Sequence, residues 1–193
     1  MKMKNLIKYL ILGLTFINCN SQIVTDVSNF NEDDNENNGK YFKDTTNSYN
    51  NFVGTWQSTT GSITFRVTLF KNEYMQMGYP VEYHKDFICG SFQIIENADF
   101  PNEVIIHNSV KYYPQNNYTQ NIVIYATSTD GTNGAGFIED NCSSGGNDSL
   151  TGQLTMTLSG LSNSQMHWIV NRKNILPNNY FSVPIDVVLT KVD

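Results

Sequence analysis

Residues 52–69 read Phe52-Val53-Gly54-Thr55-Trp56-Gln57-Ser58-Thr59-Thr60-Gly61-Ser62-Ile63-Thr64-Phe65-Arg66-Val67-Thr68-Leu69, and this stretch decides the fold. Ile63, Phe65, Val67 and Leu69 alternate with Thr64, Arg66 and Thr68, the period of two that sends one set of side chains into a core and the other into water. Gly61-Ser62 ahead of that run is a turn signal. A second alternation runs through Gly152, Leu154, Met156 and Leu158 against Gln153, Thr155 and Thr157. Shorter runs at 87–95, 104–107, 122–127, 165–170 and 182–192 read as further strands. No stretch joins apolar residues at helical spacing to helix caps. About eight to ten strands following one another predict an all-β fold, an antiparallel barrel or a sandwich. Closure into a barrel removes exposed sheet edges, and a sandwich has the same periodicity.

Composition agrees. Asparagine, at 26 residues, is the outlying type, and Asn, Ser, Thr and Gly favour turns over helix interiors because their short polar groups compete for backbone hydrogen bonds. With 39% hydrophobic and 16% charged residues the chain of 193 is neither collagen nor a coiled coil.

Lys2, Lys4 and Lys8 precede or open an apolar run from Leu6 to Ile17 that has the length of a signal-peptide core and is too short to span a membrane. Residues 1–21 are therefore read as a leader, and the chain as exported. Phe16-Ile17-Asn18-Cys19 resembles a lipobox that would acylate Cys19 and place the protein on the outer membrane or in the periplasm; Cys19-Asn20-Ser21 resembles a small-x-small site cut before Gln22, giving a secreted product. Losing the leader leaves 9 basic residues against 18 acidic, a net charge of −9. That balance excludes a nucleic-acid partner, since nothing supplies the clustered cations that release phosphate counterions.

Residues 22–51 change character, with an acidic, nearly aliphatic-free run from Asn29 to Gly39, and are read as a flexible linker to a domain at 52–193. Those acids lack the ligand spacing and terminal Glu of a calcium loop. Asp130-Gly131-Thr132-Asn133-Gly134 also lacks it and reads as a Gly-rich hairpin turn.

Cleavage leaves Cys89 and Cys142, which in an oxidising compartment predict a disulfide worth about 4 kcal/mol, with a catalytic cysteine as the rival. His84, His107 and His167 are scattered, and Ser143 and Ser144 lack the strand-to-helix elbow of a nucleophile. The expectation is no catalytic residue, no metal and no cofactor.

Phe52-Val53-Gly54-Thr55-Trp56 resembles the Gly-x-Trp opening of calycin barrels, the group of lipocalins, fatty-acid-binding proteins and avidins. The resemblance implies an antiparallel up-and-down barrel in which Gly54 lets the strand enter, Trp56 plugs one end, and a late arginine packs on it, here Arg172. It also implies a lumen for a small apolar or amphipathic ligand, with Phe65, Val67, Leu69, Leu154, Met156 and Leu158 as candidate lining, or else as a solid core. Biotin is excluded, because avidin-type sites use several tryptophans and only Trp56 and Trp168 exist. The FVGTW opening, a leader ending in Cys, Cys89-Gly90 and a closing Leu189-Thr190-Lys191 also resemble a family of small uncharacterised exported flavobacterial proteins, which implies no activity. The competing function is an envelope or glycan interaction module using Tyr74, Tyr79, Tyr83, Tyr112, Tyr113, Tyr118 and Tyr125. Either way the protein is expected to be a monomeric, non-enzymatic binder.

Overall fold

The computed structural model describes residues 22–32, 35–78, 81–113, 118–120, 122–140, 150–172 and 181–192. Its strands are β1 (Ile23–Asp26), β2 (Lys40–Lys43), β3 (Gly54–Thr60), β4 (Ile63–Met77), β5 (Tyr83–Glu96), β6 (Val104–Asn108), β7 (Lys111–Tyr113), β8 (Tyr118–Gln120), β9 (Ile124–Ser128), β10 (Asn133–Asp140), β11 (Leu150–Ser159), β12 (Gln165–Arg172) and β13 (Asp186–Lys191). The described residues contain no α-helix.

Eight of these strands, β3, β4, β5, β9, β10, β11, β12 and β13, form an antiparallel meander that closes on itself through β13 and β3. The fold is thus a calycin-like up-and-down barrel rather than a sandwich. Alternation decides which face of each strand turns inward. Trp56 pairs with Val67, Val67 with Phe92, and Leu154 with Val170, all buried on the interior face. Gly54 opens β3 at φ 133°, a conformation that favours glycine and brings the chain into the barrel. Gly136 allows a second close approach, since a Cβ there would sit 1.9 Å from the Tyr125 carbonyl oxygen across β9.

The turn at 129–132 is the expected hairpin, closed by Asp130 Oδ1 accepting from the amides of Thr132 at 2.8 Å and Asn133 at 2.7 Å, with Gly131 at φ 72°.

Residues 22–51 are expected to be a flexible linker, yet the described part, 22–32 and 35–51, is folded onto the barrel. β1 pairs in parallel with β2, and β2 in parallel with the start of β5, through Tyr41 against His84 and Phe42 against Lys85. Few apolar residues suffice, because each is large and placed where the barrel is open. Tyr49 and Phe52 are fully buried across one end, where the Trp56 indole Nε1 donates to the Phe52 carbonyl at 2.8 Å. The contacts are made to strands far along the chain, so no local pattern announces them.

A buried ionic cluster fixes this cap. Asp86 accepts from Tyr41 Oη at 2.6 Å and from the amides of Asp44 at 3.0 Å and Tyr74 at 3.1 Å. Asp44 accepts from the Ser48 amide at 2.8 Å and the Tyr49 amide at 3.1 Å. Lys71 Nζ lies 3.3 Å from Asp44, 3.8 Å from Asp86 and 3.2 Å from Glu73. Burial alone would lower the Lys71 pKa, but the pull of these three carboxylates raises it instead. Tyr74 sits at a bulge in β4 with φ 60°, a strained setting for a bulky residue that its bond to Asp86 helps hold.

Two further expectations are corrected. Cys89 is a free thiol in β5, fully buried, with Sγ 3.8 Å from Met75 Sδ; burial pushes its pKa up to about 12, which keeps it protonated and inert. The disulfide inferred for it is not formed, and Cys142 lies outside the described residues. Arg172 does not pack on Trp56. Its guanidinium carbon lies 5.7 Å from the Phe181 ring centroid, whereas Lys191, paired with Trp56 across β13 and β3, puts its Nζ 5.2 Å from the Trp56 ring.

Candidate functional site

The six residues nominated as lumen lining do face inward. Phe65, Val67, Leu69, Leu154, Met156 and Leu158 are at most 6% exposed and belong to one apolar cluster with Trp56 and Trp168. Trp168 lies edge-on to Phe65 with centroids 5.7 Å apart, and its Nε1 donates to the Pro184 carbonyl at 3.2 Å. These side chains fill each other's space, as a stabilising core does. None of them lines either of the two described cavities.

The larger cavity, about 520 Å³, lies on the outer wall instead. It forms where β5 passes its free edge from one neighbour to another. Up to Lys85 that edge is held by β2, and from Ile88 to Gly90 by β9. Across the sheet from this exchange, the outward residues of successive strands lie side by side: Cys89 opposite Tyr125, Tyr125 opposite Phe137, and Met77 opposite Tyr83. Tyr83, Lys85, Phe87, Tyr125 and Phe137 make the floor and far wall. Phe30 and Glu32, from the segment expected to be a linker, make the near wall.

Aromatic packing positions that wall. The Phe30 ring lies edge-on to buried Phe42 at 5.0 Å and tilted against Tyr83 at 5.2 Å. The approach of the segment is set by Asp26, which accepts from the Ser28 amide at 2.9 Å and from the Thr45 amide at 3.3 Å and also takes both hydroxyls. Hydroxyl bonds from Ser28 and Thr45 hold its carboxyl down at about 2.

Lys85 is the one basic residue in the cavity wall. The residue is 7% exposed, and its Nζ lies 3.6 Å from the Phe30 ring centroid and 5.3 Å from that of Phe87. Desolvation drives its pKa down to about 8, against a weaker opposing attraction from Glu32. The site is thus an aromatic groove with a buried amine on its floor, of the volume and mixed character that small-molecule sites have.

Of the tyrosines singled out in the sequence, Tyr83 and Tyr125 line this groove, while Tyr74 is exposed and stacks on His84 at 3.9 Å. Tyr79 and the side chains of Tyr112, Tyr113 and Tyr118 lie outside the described residues. His167 Nε2 meets Asp186 Oδ1 at 2.8 Å on the surface, far along the chain from His84 and His107. Among the described residues no three His, Cys, Asp or Glu side chains are grouped as a metal ion would require. Ser143, Ser144 and Cys19 lie outside the described residues.

Sequence reasoning missed the groove because its wall combines Phe30, set among acids, with outward positions of β5 and β9 and with β10, a strand that no alternation in the sequence marks. The one available signal was the size of those outward residues: Phe87, Tyr125 and Phe137 are too large and apolar for a plainly wet face.

A family model described as "Family of unknown function (DUF6705)" matches residues 3–192. Neither a curated protein nor a solved structure matches the chain.

Proposed function

From the premise that the chain belongs to the DUF6705 family of unknown function, we propose that it is an exported, non-enzymatic binder of a small apolar or amphipathic ligand, held in the outer groove. The observation that carries this reading is the cavity of about 520 Å³ walled by Phe30, Met77, Tyr83, Phe87, Tyr125 and Phe137. Concave aromatic surface of this kind gains free energy by shedding water onto an apolar ligand. The barrel supports the groove as a rigid scaffold, and the N-terminal segment completes it.

In this reading the leader at 1–21 is removed on export, and the protein stays on the envelope through acylated Cys19 or is released from Gln22. It works as a monomer, without a nucleic-acid partner or a cofactor. Mass spectrometry of the mature N-terminus is expected to find either acylated Cys19 or free Gln22; an intact Met1 would contradict export.

Titration with the neutral apolar dye N-phenyl-1-naphthylamine tests the binding function. Saturable enhancement at one site per chain is expected, and a linear, non-saturating response overturns the proposal.

A second reading, an envelope interaction module, is favoured by a separate observation. Val104, Ile105 and Ile106 of β6 are 53%, 50% and 45% exposed, and Phe100 in the preceding turn is 67% exposed, an unusual group of apolar residues to leave in water. If that surface carries the function, Ile106→Ser abolishes envelope retention of the delipidated chain while leaving dye binding intact.

A further inference from the structure

Among the described residues two lysines are largely buried, and one of them is neutralised by close carboxylates. The Lys71 side chain is 13% exposed and has Asp44, Glu73 and Asp86 within 3.8 Å. Lys85, at 7% residue exposure, has no ion pair or hydrogen bond from its Nζ among the described residues; the Nζ lies over the ring faces of Phe30 and Phe87, and Glu32 attracts it from beyond ion-pair distance. Cation–π contact offsets part of the lost hydration of an ammonium, and a carboxylate would offset far more. Lys85 opens onto the groove, so a carboxylate on a ligand can reach it.

We infer that the groove selects an amphipathic monoanion, a single carboxylate on an apolar chain or ring, with the carboxylate against Lys85 Nζ and the apolar body along Phe87, Tyr125 and Phe137. This rests on the groove being the binding site. Two acids shape the selection further. Glu32 and Glu139 also line the cavity, so a second negative charge on the ligand meets repulsion while the first meets Lys85. A monocarboxylate is favoured over a dicarboxylate of the same length, and over the uncharged alcohol.

The test is calorimetric titration of the mature chain with dodecanoate, dodecanol and dodecanedioate, each below its aggregation limit, beside the neutral dye. Dodecanoate is expected to bind about ten-fold tighter than dodecanol, the size of one charge-assisted contact in a partly desolvated site. Dodecanedioate is expected to fall below dodecanoate. Lys85→Met should bring the dodecanoate-to-dodecanol ratio to about one, whereas Lys191→Met, at Trp56 outside the groove, should leave the ratio as in the wild type. Lys85→Gln serves the same purpose if the Met variant fails to fold by circular dichroism.

Failure of the dye and of all three ligands to bind would remove the groove reading itself. Saturable dye binding with equal affinity for dodecanoate and dodecanol, or a ratio that survives loss of Lys85, would overturn the inference about charge and leave the groove standing. Binding confined to phosphatidylglycerol vesicles, with none to monomeric dodecanoate, would also overturn it.

Discussion

The inside and the outside of this barrel use the same kinds of residue to opposite ends. Inside, Trp56, Trp168, Phe65 and Met156 are sealed to within 3% of full burial, and the two indole N–H groups are each given a carbonyl. Outside, Phe30, Phe87, Tyr125 and Phe137 surround unfilled space, and the ammonium among them has no ion-pair partner among the described residues. The buried apolar cluster marks the interior as the source of stability. Open space around a buried charge costs the fold stability, which the proposed ligand would offset.

If that contrast is right, interior and groove substitutions separate stability from binding. The largest effect is expected from Trp56→Ala, which leaves a cavity at the sealed end and should lower stability to urea by about 4 kcal/mol. A loss under 1 kcal/mol would mean that the interior has slack and would dissolve the comparison. Asp86→Ala should cost about 3 kcal/mol, because it strands Lys71 beside fewer carboxylates and leaves the Tyr41 hydroxyl unpaired. It should weaken dye binding as well, since Asp86 ties down the segment that carries Phe30, and hydrogen exchange over residues 23–51 should accelerate. Exchange unchanged there would detach the cap from the groove.

Lys85→Met acts in the other direction. The folded chain holds the Lys85 pKa at about 8, below its ordinary 10.5, because burial disfavours the charge. The unfolded chain therefore binds the extra proton between those values, and wild-type stability rises as pH climbs through that window. Below it the penalty is constant, so the Met variant should be about 2 kcal/mol more stable at pH 7, discounted for partial exposure. The advantage should shrink across pH 8 to 10.5, a pattern that urea titrations at several pH values will resolve. An equal advantage at every pH would mean that methionine gains by packing and that the amine was never strained. The smallest stability change belongs to Phe137→Ser, a residue 53% exposed, at under about 0.5 kcal/mol, while dye affinity falls several-fold. A destabilisation as large as that of an interior residue would place Phe137 in the core instead.

The sequence made the barrel wall plain and hid the groove, for one physical reason. Strand alternation is local, so the inward set of β4 and β11 could be read from Phe65, Val67, Leu69, Leu154, Met156 and Leu158 without knowing the partners of either strand. Meander order joins neighbours directly along the chain, except at the closing seam of β13 on β3 and between β5 and β9, where β6, β7 and β8 intervene. The N-terminal segment obeys neither rule. β2 meets β5 in parallel at Tyr41 and Phe42 across more than forty residues, and its few aromatics are diluted by Asn, Asp and Glu. Composition over a window reads it as a flexible linker, although Val27, Phe42 and Tyr49 are buried one at a time against the barrel. Arg172 failed for a related reason: the residue over Trp56 is set by the register of β13 on β3, which puts Lys191 there, and register across the closing seam is not encoded in either strand alone. Cys89 was paired on the logic of its compartment, but its position in β5 is sealed beneath Met75 and its thiol is kept protonated by burial.

The two tryptophans give the most direct test of where a ligand goes. Both Trp56 and Trp168 lie inside the barrel, fully buried, and neither lines the groove. Titration with 12-bromododecanoate, whose bromine quenches indole emission at near contact, should show saturable heat of binding while tryptophan fluorescence stays constant. Quenching that follows the same binding curve would put the ligand in the lumen and contradict the account.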